Sequence, residues 1–475
     1  MKNKRNKEIM MAQIARSDEK SNISPLADKV RLAERCCYRS YRDGKLPMRR
    51  YYNGKWYDYD YEDGYKPVSG DSFEQSVTES LIHCYDLKGA ISAGLRRDIV
   101  DILKTNAFCG LSAQSYHMPC MISSGADVSR ILLMKNGYVS VDTIMDSMKA
   151  GRPRPKTKED TPDLFSIWRK DYDYLSTAKC PNFLKFLKEV QPKKENREAL
   201  QMMAGLCLVP DCTYEKVFVL CGVAGSGKTT FLKVLKAMLG KNCYCSIPLA
   251  KMPDQSNGTL LTEKLANISS DMSLGAESGH VEAFLKAVAS GEEIPVEQPD
   301  GSGIHMANVM ARCIFETNEM PRFADKSNGI WSHLYPIPFN HVFRGTANQN
   351  PRLADELIEH ELSGILNWAL EGLFRLRTQK TIPQGRDSEA ALIDCRMVCD
   401  PAGAYLMERT EVNLEKRIDS SNLHHHYTLW AEEKGVQVVS GTELMKTVLR
   451  MYPNAYAYQT STSYCLKGIG YRIKS

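Results

Sequence analysis

The sequence predicts an α/β chain, and three observations predict it. An apolar strand, Val217 to Cys221, runs straight into a glycine-rich turn. That turn opens onto a helical run, Thr230 to Leu239, with Phe231, Leu232, Val234, Leu235, Met238 and Leu239 on its packing side. Two further apolar strands follow, within Lys264–Asp271 and Val309–Asn318. Strands that alternate with helices are the α/β pattern.

The remaining elements fall into place around that core. The 475 residues predict about three domains. With 43 % hydrophobic and 25 % charged residues, the chain is neither a disulfide scaffold nor a disordered polymer. No apolar run reaches the ~20 residues that cross a bilayer, so no membrane partner is expected. Fifteen cysteines occur without a CxxC pair, and no signal-type apolar region follows the basic start. These features predict reduced thiols and a cytoplasmic protein. Cys395 and Cys399 have ligand spacing but no second pair, which argues against zinc.

Residues 1–50 carry 14 basic and 6 acidic residues, although the whole chain is only +5. This basic arm either touches nucleic acid or is a solvated tail. Residues 51–165 predict an accessory domain that binds DNA or a partner. It starts with a hairpin over Tyr51–Asp60, turned by Asn53-Gly54, and has a second turn at Asp63-Gly64. Its aromatics either stack on bases or cover a small sheet. Residues 72–108 read as mainly helical, Leu132 to Tyr138 as a short hairpin, and Gly151–Asp163 as a loop or linker.

Residues 166–210 predict a helical collar with helices at Pro181–Val190 and Glu198–Val209, and 211–345 the α/β core. Residues 346–415 form a helical lid or linker, periodic over 355–377. Residues 416–475 form a small mixed unit: a helix at Leu429–Glu433, a helix at Glu443–Arg450 capped by Ser440, and a strand at Tyr464–Ile473. That order is compatible with a winged-helix module. His424-His425-His426 point in different directions on a helix and make a poor metal site.

The turn itself, Gly222-Val223-Ala224-Gly225-Ser226-Gly227-Lys228-Thr229, fits the phosphate-binding pattern GxxxxGK[ST] in full. Gly222, Gly225 and Gly227 let the backbone curve so that its N–H groups face phosphate oxygens. Thr230 belongs to the helix start, which favours an anion. Lys228 reaches the β- and γ-phosphates, and Thr229 presents a hydroxyl to Mg²⁺. The cofactors expected are therefore ATP and Mg²⁺. Asp271, at the end of its strand, is the expected acid on the metal side, with Glu263 and Glu277 as alternatives. Asp271 either serves as water-activating base too or shares that work with Glu277. Asn318 ends the next strand, where an amide both donates and accepts. The catalytic set expected is Lys228, Asp271 and Asn318.

The turn, the Asp271 strand and Phe315-Glu316-Thr317-Asn318 before Met320-Pro321 resemble the superfamily 3 helicases. More narrowly, they resemble the helicase half of the primase–helicases of phages, plasmids and integrated mobile elements. Tyr174, Ala178, Cys180 and Pro181 match that family's approach segment, and Ser290-Gly291-Glu292 its middle. Ile337-Pro338-Phe339 and Glu361 to Leu373 match its later part. The resemblance implies an AAA+-like core and a winged-helix-like end. It also implies a ring, usually a hexamer, with ATP between neighbours and single-stranded DNA in the channel. A channel hairpin would lie within Ile294–Met306, tipped by Asp300–Gly303, with Lys286, Gly301, Gly303 and His305 as DNA contacts. Glu292, Glu293 and Glu297 make it more acidic than the family's.

A second departure concerns the arginine that such proteins place before Ile-Pro-Phe. Here the run is Trp331-Ser332-His333-Leu334. Arg312, Arg322, His333 and Arg344 are the candidates to act on a neighbour's ATP instead. Residues 1–130 are too short and too poor in clustered acids for a primase domain, so a separate primase or initiator is the expected partner. The leading expectation is an ATP-dependent replicative DNA helicase of a mobile element. The alternative is an ATP-binding, weakly hydrolysing initiator, loader or scaffold that does not unwind alone. A small-molecule P-loop kinase is disfavoured by the Thr-Asn strand end and the long helical flanks.

Overall fold

The computed structural model describes residues 29–33, 48–85, 91–105, 109–111, 118–124, 128–274, 278–297, 303–321, 323, 328–343, 345, 350–461 and 463–472. The chain divides into two compact units, one running to Tyr174 and one from Leu175. Among the described residues, no helix is long and apolar enough to cross a membrane.

In the first unit, β1 (Arg49–Tyr52), β2 (Lys55–Asp60) and β3 (Gly64–Val68) form an antiparallel meander. β4 (Gly110–Leu111) pairs with β1 in parallel. Asn53 and Gly54 turn the first hairpin with φ of 48° and 75°, the two left-handed residues that match strand twist. Trp56 stacks on Phe73 at 3.7 Å, and Val77, Leu81, Ile99 and Leu103 close over it from the helices Gly70–Tyr85 and Ala93–Thr105. Tyr57, Tyr59 and Tyr65 are buried as well. The aromatics therefore cover the sheet, and the base-stacking reading fails for them. The boundary of the basic arm also moves. Arg49 and Arg50 belong to β1, where Arg49 is buried 3.0 Å from Asp58 and Arg50 faces the Tyr65 hydroxyl.

After β5 (Cys120–Met121), β6 (Ile131–Met134) and β7 (Gly137–Ser140) form the second expected hairpin. Ser140 caps the helix Val141–Lys149. The segment after that helix is no linker between units. Tyr138 and Lys158 exchange backbone hydrogen bonds of 2.9 and 2.8 Å, and β8 (Leu164–Phe165) pairs with β5. Lys170 N donates to Leu133 O at 2.9 Å, so the boundary expected at 165 falls inside this unit.

The second unit opens with the helices Pro181–Val190 and Lys194–Leu206. Its centre is a five-stranded parallel sheet of β9 (Val217–Cys221), β10 (Tyr244–Cys245), β11 (Ala266–Ser269), β14 (Arg312–Thr317) and β15 (Leu334–Pro338), in the order β10-β11-β14-β9-β15. Fully buried Val217, Val219, Ile268, Ile314 and Phe315 explain why these strands read as continuous apolar runs. Asn267 interrupts β11 in sequence but not in structure, because its side chain pairs with Ile247 N and O at 2.7 and 3.0 Å. Between β11 and β14, β12 (Glu293–Glu297) and β13 (Ile304–Asn308) form an antiparallel hairpin.

The helix Leu353–Gln379 follows, then Arg386–Cys399. The last part runs helix Pro401–Arg409, β16 (Thr410–Asp419), helices Ser420–Lys434 and Gly441–Met451, β17 (Tyr456–Gln459) and β18 (Tyr464–Tyr471). Its sheet order is β16-β18-β17. The boundary expected at 415/416 cuts β16, and it strands Tyr405 and Leu406 away from the core they share with Tyr427, Trp430 and Val448. Ser440 caps its helix through Glu443 N, as the sequence indicates.

Candidate functional site

All five core strands run parallel, so the turns after them gather at one edge, where open α/β sheets take their ligands. β9 lies between β14 and β15, and the turns of these three strands interlock. Gly222 N donates to Thr317 O at 3.3 Å, Phe339 N to Cys221 O at 2.7 Å and Phe343 N to Gly225 O at 2.9 Å.

The turn needs its glycines. Gly222 and Gly227 have φ of +134° and +94°. A Cβ would sit 2.3 Å from Phe339 O at Gly222 and 2.6 Å from Val190 Cγ1 at Gly227. Gly225 also has positive φ, at +80°. Gly227 starts the helix Lys228–Leu239 without a side-chain cap. The first-turn N–H groups of Lys228, Thr229 and Thr230 therefore lack intrahelical partners and present the positive end of the helix.

Lys228 is 3 % exposed and folds over the turn. Its Nζ donates to Gly222 O at 2.7 Å, Val223 O at 2.9 Å and Asn318 Oδ1 at 3.3 Å. Burial lowers its pKa, and the nearby Glu316 carboxylate opposes that shift. The Thr229 hydroxyl donates to Glu316 Oε1 at 2.6 Å. Lys228, Thr229, Glu316 and Asn318 are thus brought together.

Asp271 is not hydrogen-bonded to this group. It is exposed two residues past β11, its Oδ1 accepts Ser273 N at 2.8 Å, and its carbonyl accepts Leu249 N at 3.2 Å. β14 lies between its strand and β9. The carboxylate that meets Thr229 is Glu316, which sequence reasoning passed over in favour of its neighbour Asn318. Its one sequence signal was its place two residues before Asn318 at the end of an apolar run; its register with Leu220 of β9 appears only in the sheet. Glu263 is excluded as the alternative, because it precedes β11 and so lies at the opposite edge of the sheet. Glu277 lies outside the described residues.

The β12–β13 hairpin occupies the stretch expected of it, but its exposed face is not cationic. Ile294 and Val296 are buried, and His305, opposite Val296, shares their face with its Nδ1 buried. The exposed face carries Glu293, Pro295, Glu297, Ile304, Met306 and Asn308. His305 therefore does not stand where a DNA phosphate contact was expected. Lys286 is half-buried in the helix Ser278–Ser290. Gly303 leads into β13 with φ of +157° and open space around it. Gly301 lies outside the described residues.

Of the four candidates for a trans contact, Arg312 is enclosed by its own chain and His333 is hydrogen-bonded within it. Arg312 is 3 % exposed at the first position of β14, enclosed and at the edge of the sheet opposite the glycine turn, so it cannot reach a neighbour. His333 places Nδ1 2.8 Å from Glu215 O, with 12 % of its side chain exposed. Arg322 and Arg344 lie outside the described residues. A cleft of about 550 Å³ opens beside Gly222 and Asn318 and carries Asp387 and Asp394 on its far wall.

Comparison with known proteins adds the following. The family of unknown function DUF5906 matches residues 220–329, less than a quarter of the chain. A candidate helicase, L207/L206 of Acanthamoeba polyphaga mimivirus, is 27 % identical over 169 residues, covering 32 % of this chain and 16 % of that protein. The chain thus matches about a sixth of the length of that relative. Disease resistance protein Piks-1 of Oryza sativa subsp. japonica is 34 % identical over 92 residues, covering 19 % of this chain and 8 % of that protein. Among solved structures, the C-terminal region of NrS-1 aligns at 10 % identity and a TM-score of 0.45, covering 88 % of this chain and 94 % of that one.

Proposed function

We propose that the chain is an ATP-dependent motor of the helicase type that acts on DNA. The observation that carries this reading is the meeting of Lys228, Thr229, Glu316 and Asn318 at the carboxyl edge of a parallel sheet, beside a turn of left-handed glycines. Backbone N–H groups and an ammonium suit a triphosphate. The Thr229 hydroxyl and the Glu316 carboxylate are hard oxygen donors of the kind Mg²⁺ takes, and Asp271 offers another on the same edge. ATP supplies the phosphoanhydride bond. Asn318, already hydrogen-bonded to Lys228, is the group suited to orient a water.

The similarity to the mimivirus protein supports the helicase assignment, and the resemblance to superfamily 3 refines it to a ring on single-stranded DNA, with a primase or initiator as partner. The helix–strand–helix–helix–strand–strand order after Pro401, with β18 in the middle of its sheet, supports a winged-helix-like end. A second reading, an ATP-gated scaffold without autonomous unwinding, is favoured by two observations. Arg312 is enclosed by its own chain and His333 is hydrogen-bonded within it, and the hairpin is acidic.

The deciding experiment measures ATP hydrolysis with and without single-stranded DNA, and displacement of a strand from a forked duplex, beside a Lys228→Ala control. DNA-stimulated turnover and strand displacement, both lost in the control, are expected. ATP binding with turnover no higher than the control would overturn the motor and favour the scaffold.

A further inference from the structure

The first unit contains a groove of about 400 Å³ that none of the expected site residues line. Three pieces of backbone make it. The floor is the β6–β7 hairpin. One wall is the turn before β6 and the start of the helix Val141–Lys149, tied together where Val141 N donates to Arg130 O at 2.8 Å. The other wall is the segment after that helix, held to the hairpin by the two Tyr138–Lys158 hydrogen bonds. Gly137 permits this attachment. Its φ is +116°, and a Cβ there would lie 2.0 Å from Lys158 O.

The chemistry of the groove is cationic with one aromatic ring. Cations stand at every second position from Arg152 to Lys158, spaced by Pro153, Pro155 and Thr157. In an extended segment, alternate residues share a face and stand about 6.6 Å apart. Lys156 and Lys158 line the groove and are exposed, and neither has a carboxylate partner among the described residues. Arg130 faces them across it, paired with Asp142 at 3.5 Å. The Tyr138 ring is half-buried between the walls, and Ser140 and Thr143 add hydroxyls. Asp142 is the only carboxylate in the lining, and Glu159 is exposed just beyond it.

From this arrangement we infer that the groove binds a single-stranded nucleic acid, with Lys156, Lys158 and Arg130 on its phosphates and Tyr138 against a base. Phosphate contacts supply affinity without sequence preference, and aromatic stacking tolerates any base. The groove and the glycine-rich turn belong to different units, so this inference does not rest on the nucleotide reading.

The test uses the full chain without nucleotide and measures binding of fluorescent oligo(dT) and oligo(rU) by anisotropy across a salt series. The double variant Lys156→Glu/Lys158→Glu changes exposed side chains only. It is expected to weaken binding of at least one strand more than tenfold. It should also flatten the slope of log K against log salt by about 1.4, the value for two lost contacts on a single strand. Tyr138→Ala should weaken binding with the slope unchanged. Crosslinking of a 4-thiothymidine strand should label peptides within 129–158. Wild-type affinity and slope in the double variant, crosslinks confined to residues beyond 175, or displacement by inorganic phosphate at the strand's own concentration would each overturn the inference.

Discussion

Glu361 is a residue whose removal should disturb the glycine-rich turn from a distance. It sits in the long helix Leu353–Gln379, 6 % exposed, and its carboxylate accepts three hydrogen bonds. These come from Asn182 N at 3.0 Å, Asn182 Nδ2 at 2.9 Å and Phe183 N at 2.9 Å. The helix Pro181–Val190 has no cap of its own, because Cys180 makes no side-chain hydrogen bond. Glu361 is therefore its cap. The far end of that short helix presses Val190 and Phe186 against Gly227 of the turn.

Hydrogen bonds to a charged group contribute roughly 1.5–3 kcal/mol each, so Glu361→Ala should cost about 3 kcal/mol even with one donor rehydrated. At ~2.1 cal/mol/K per residue over roughly 300 residues, that lowers the melting midpoint of the second unit by about 5 °C. Glu361→Gln keeps one acceptor oxygen but sets an NH₂ against a backbone N–H, and should cost about half as much. Differential scanning calorimetry reads the midpoint, and a fluorescent ATP analogue reads affinity, which should fall in the same order. Glu361→Ala melting with the wild type would refute the capping argument. Lower stability with unchanged nucleotide affinity would refute the link from this helix to the turn.

Three other outcomes follow from the site and the core. Glu316→Gln keeps the size of the side chain but removes the charge beside Thr229 and Lys228, so Mg²⁺-dependent hydrolysis should fall at least tenfold while the melting midpoint holds; full turnover would return the acid's role to Asp271. Gly222→Ala meets Phe339 O at 2.3 Å with φ of +134°, so it should abolish nucleotide binding in titration calorimetry, and normal binding would show that the turn has slack. Burial pushes the thiols of Cys207, Cys245 and Cys313 up to about 12 from a usual 9.0. Over that interval the folded chain holds protons that the unfolded chain has lost. Their contribution to stability is therefore intact below pH 9 and falls as pH rises toward 12. Thiol reagents at pH 8 should modify them only on unfolding, and rapid labelling of the native chain would contradict their burial.

What the sequence made legible was local. The Asn53-Gly54 hairpin, the glycine turn with its strand and helix, and the Ser440 cap depend on neighbours a few residues away. The apolar runs of β9 and β14 declared themselves because both faces are buried. Contacts across long separations did not show. Glu361 caps a helix 179 residues earlier, and its motif gives no hint of that task. Glu316 was hidden because sheet order, which the sequence does not print, decides which strand end stands beside Thr229. Arg49 and Arg50 counted as part of a charged arm, yet Asp58 and Tyr65 draw them into a strand. Domain edges were misjudged for the same reason: β16 begins before the composition changes.

The hairpin poses the sharpest question about how such a motor would grip DNA. From Glu292 to Ala307 the sequence has four acids, a single histidine and no lysine or arginine. The histidine belongs to the covered face, while Glu293 and Glu297 flank Pro295, Ile304 and Met306 on the exposed one. A strand lying along this face would meet repulsion from the carboxylates, and only apolar contact with bases or sugars could hold it. Exposed charges act over about 10 Å at 0.1 M salt, so the repulsion is sensitive to ionic strength. If DNA passes here, Glu293→Gln/Glu297→Gln should tighten binding severalfold at low salt, with the gain shrinking as salt rises. Met306→Asp should weaken binding at every salt concentration. If both variants bind DNA as the wild type does, the hairpin does not touch the strand. The grip must then come from other surfaces, and an ATP-gated scaffold becomes the better account of the second unit.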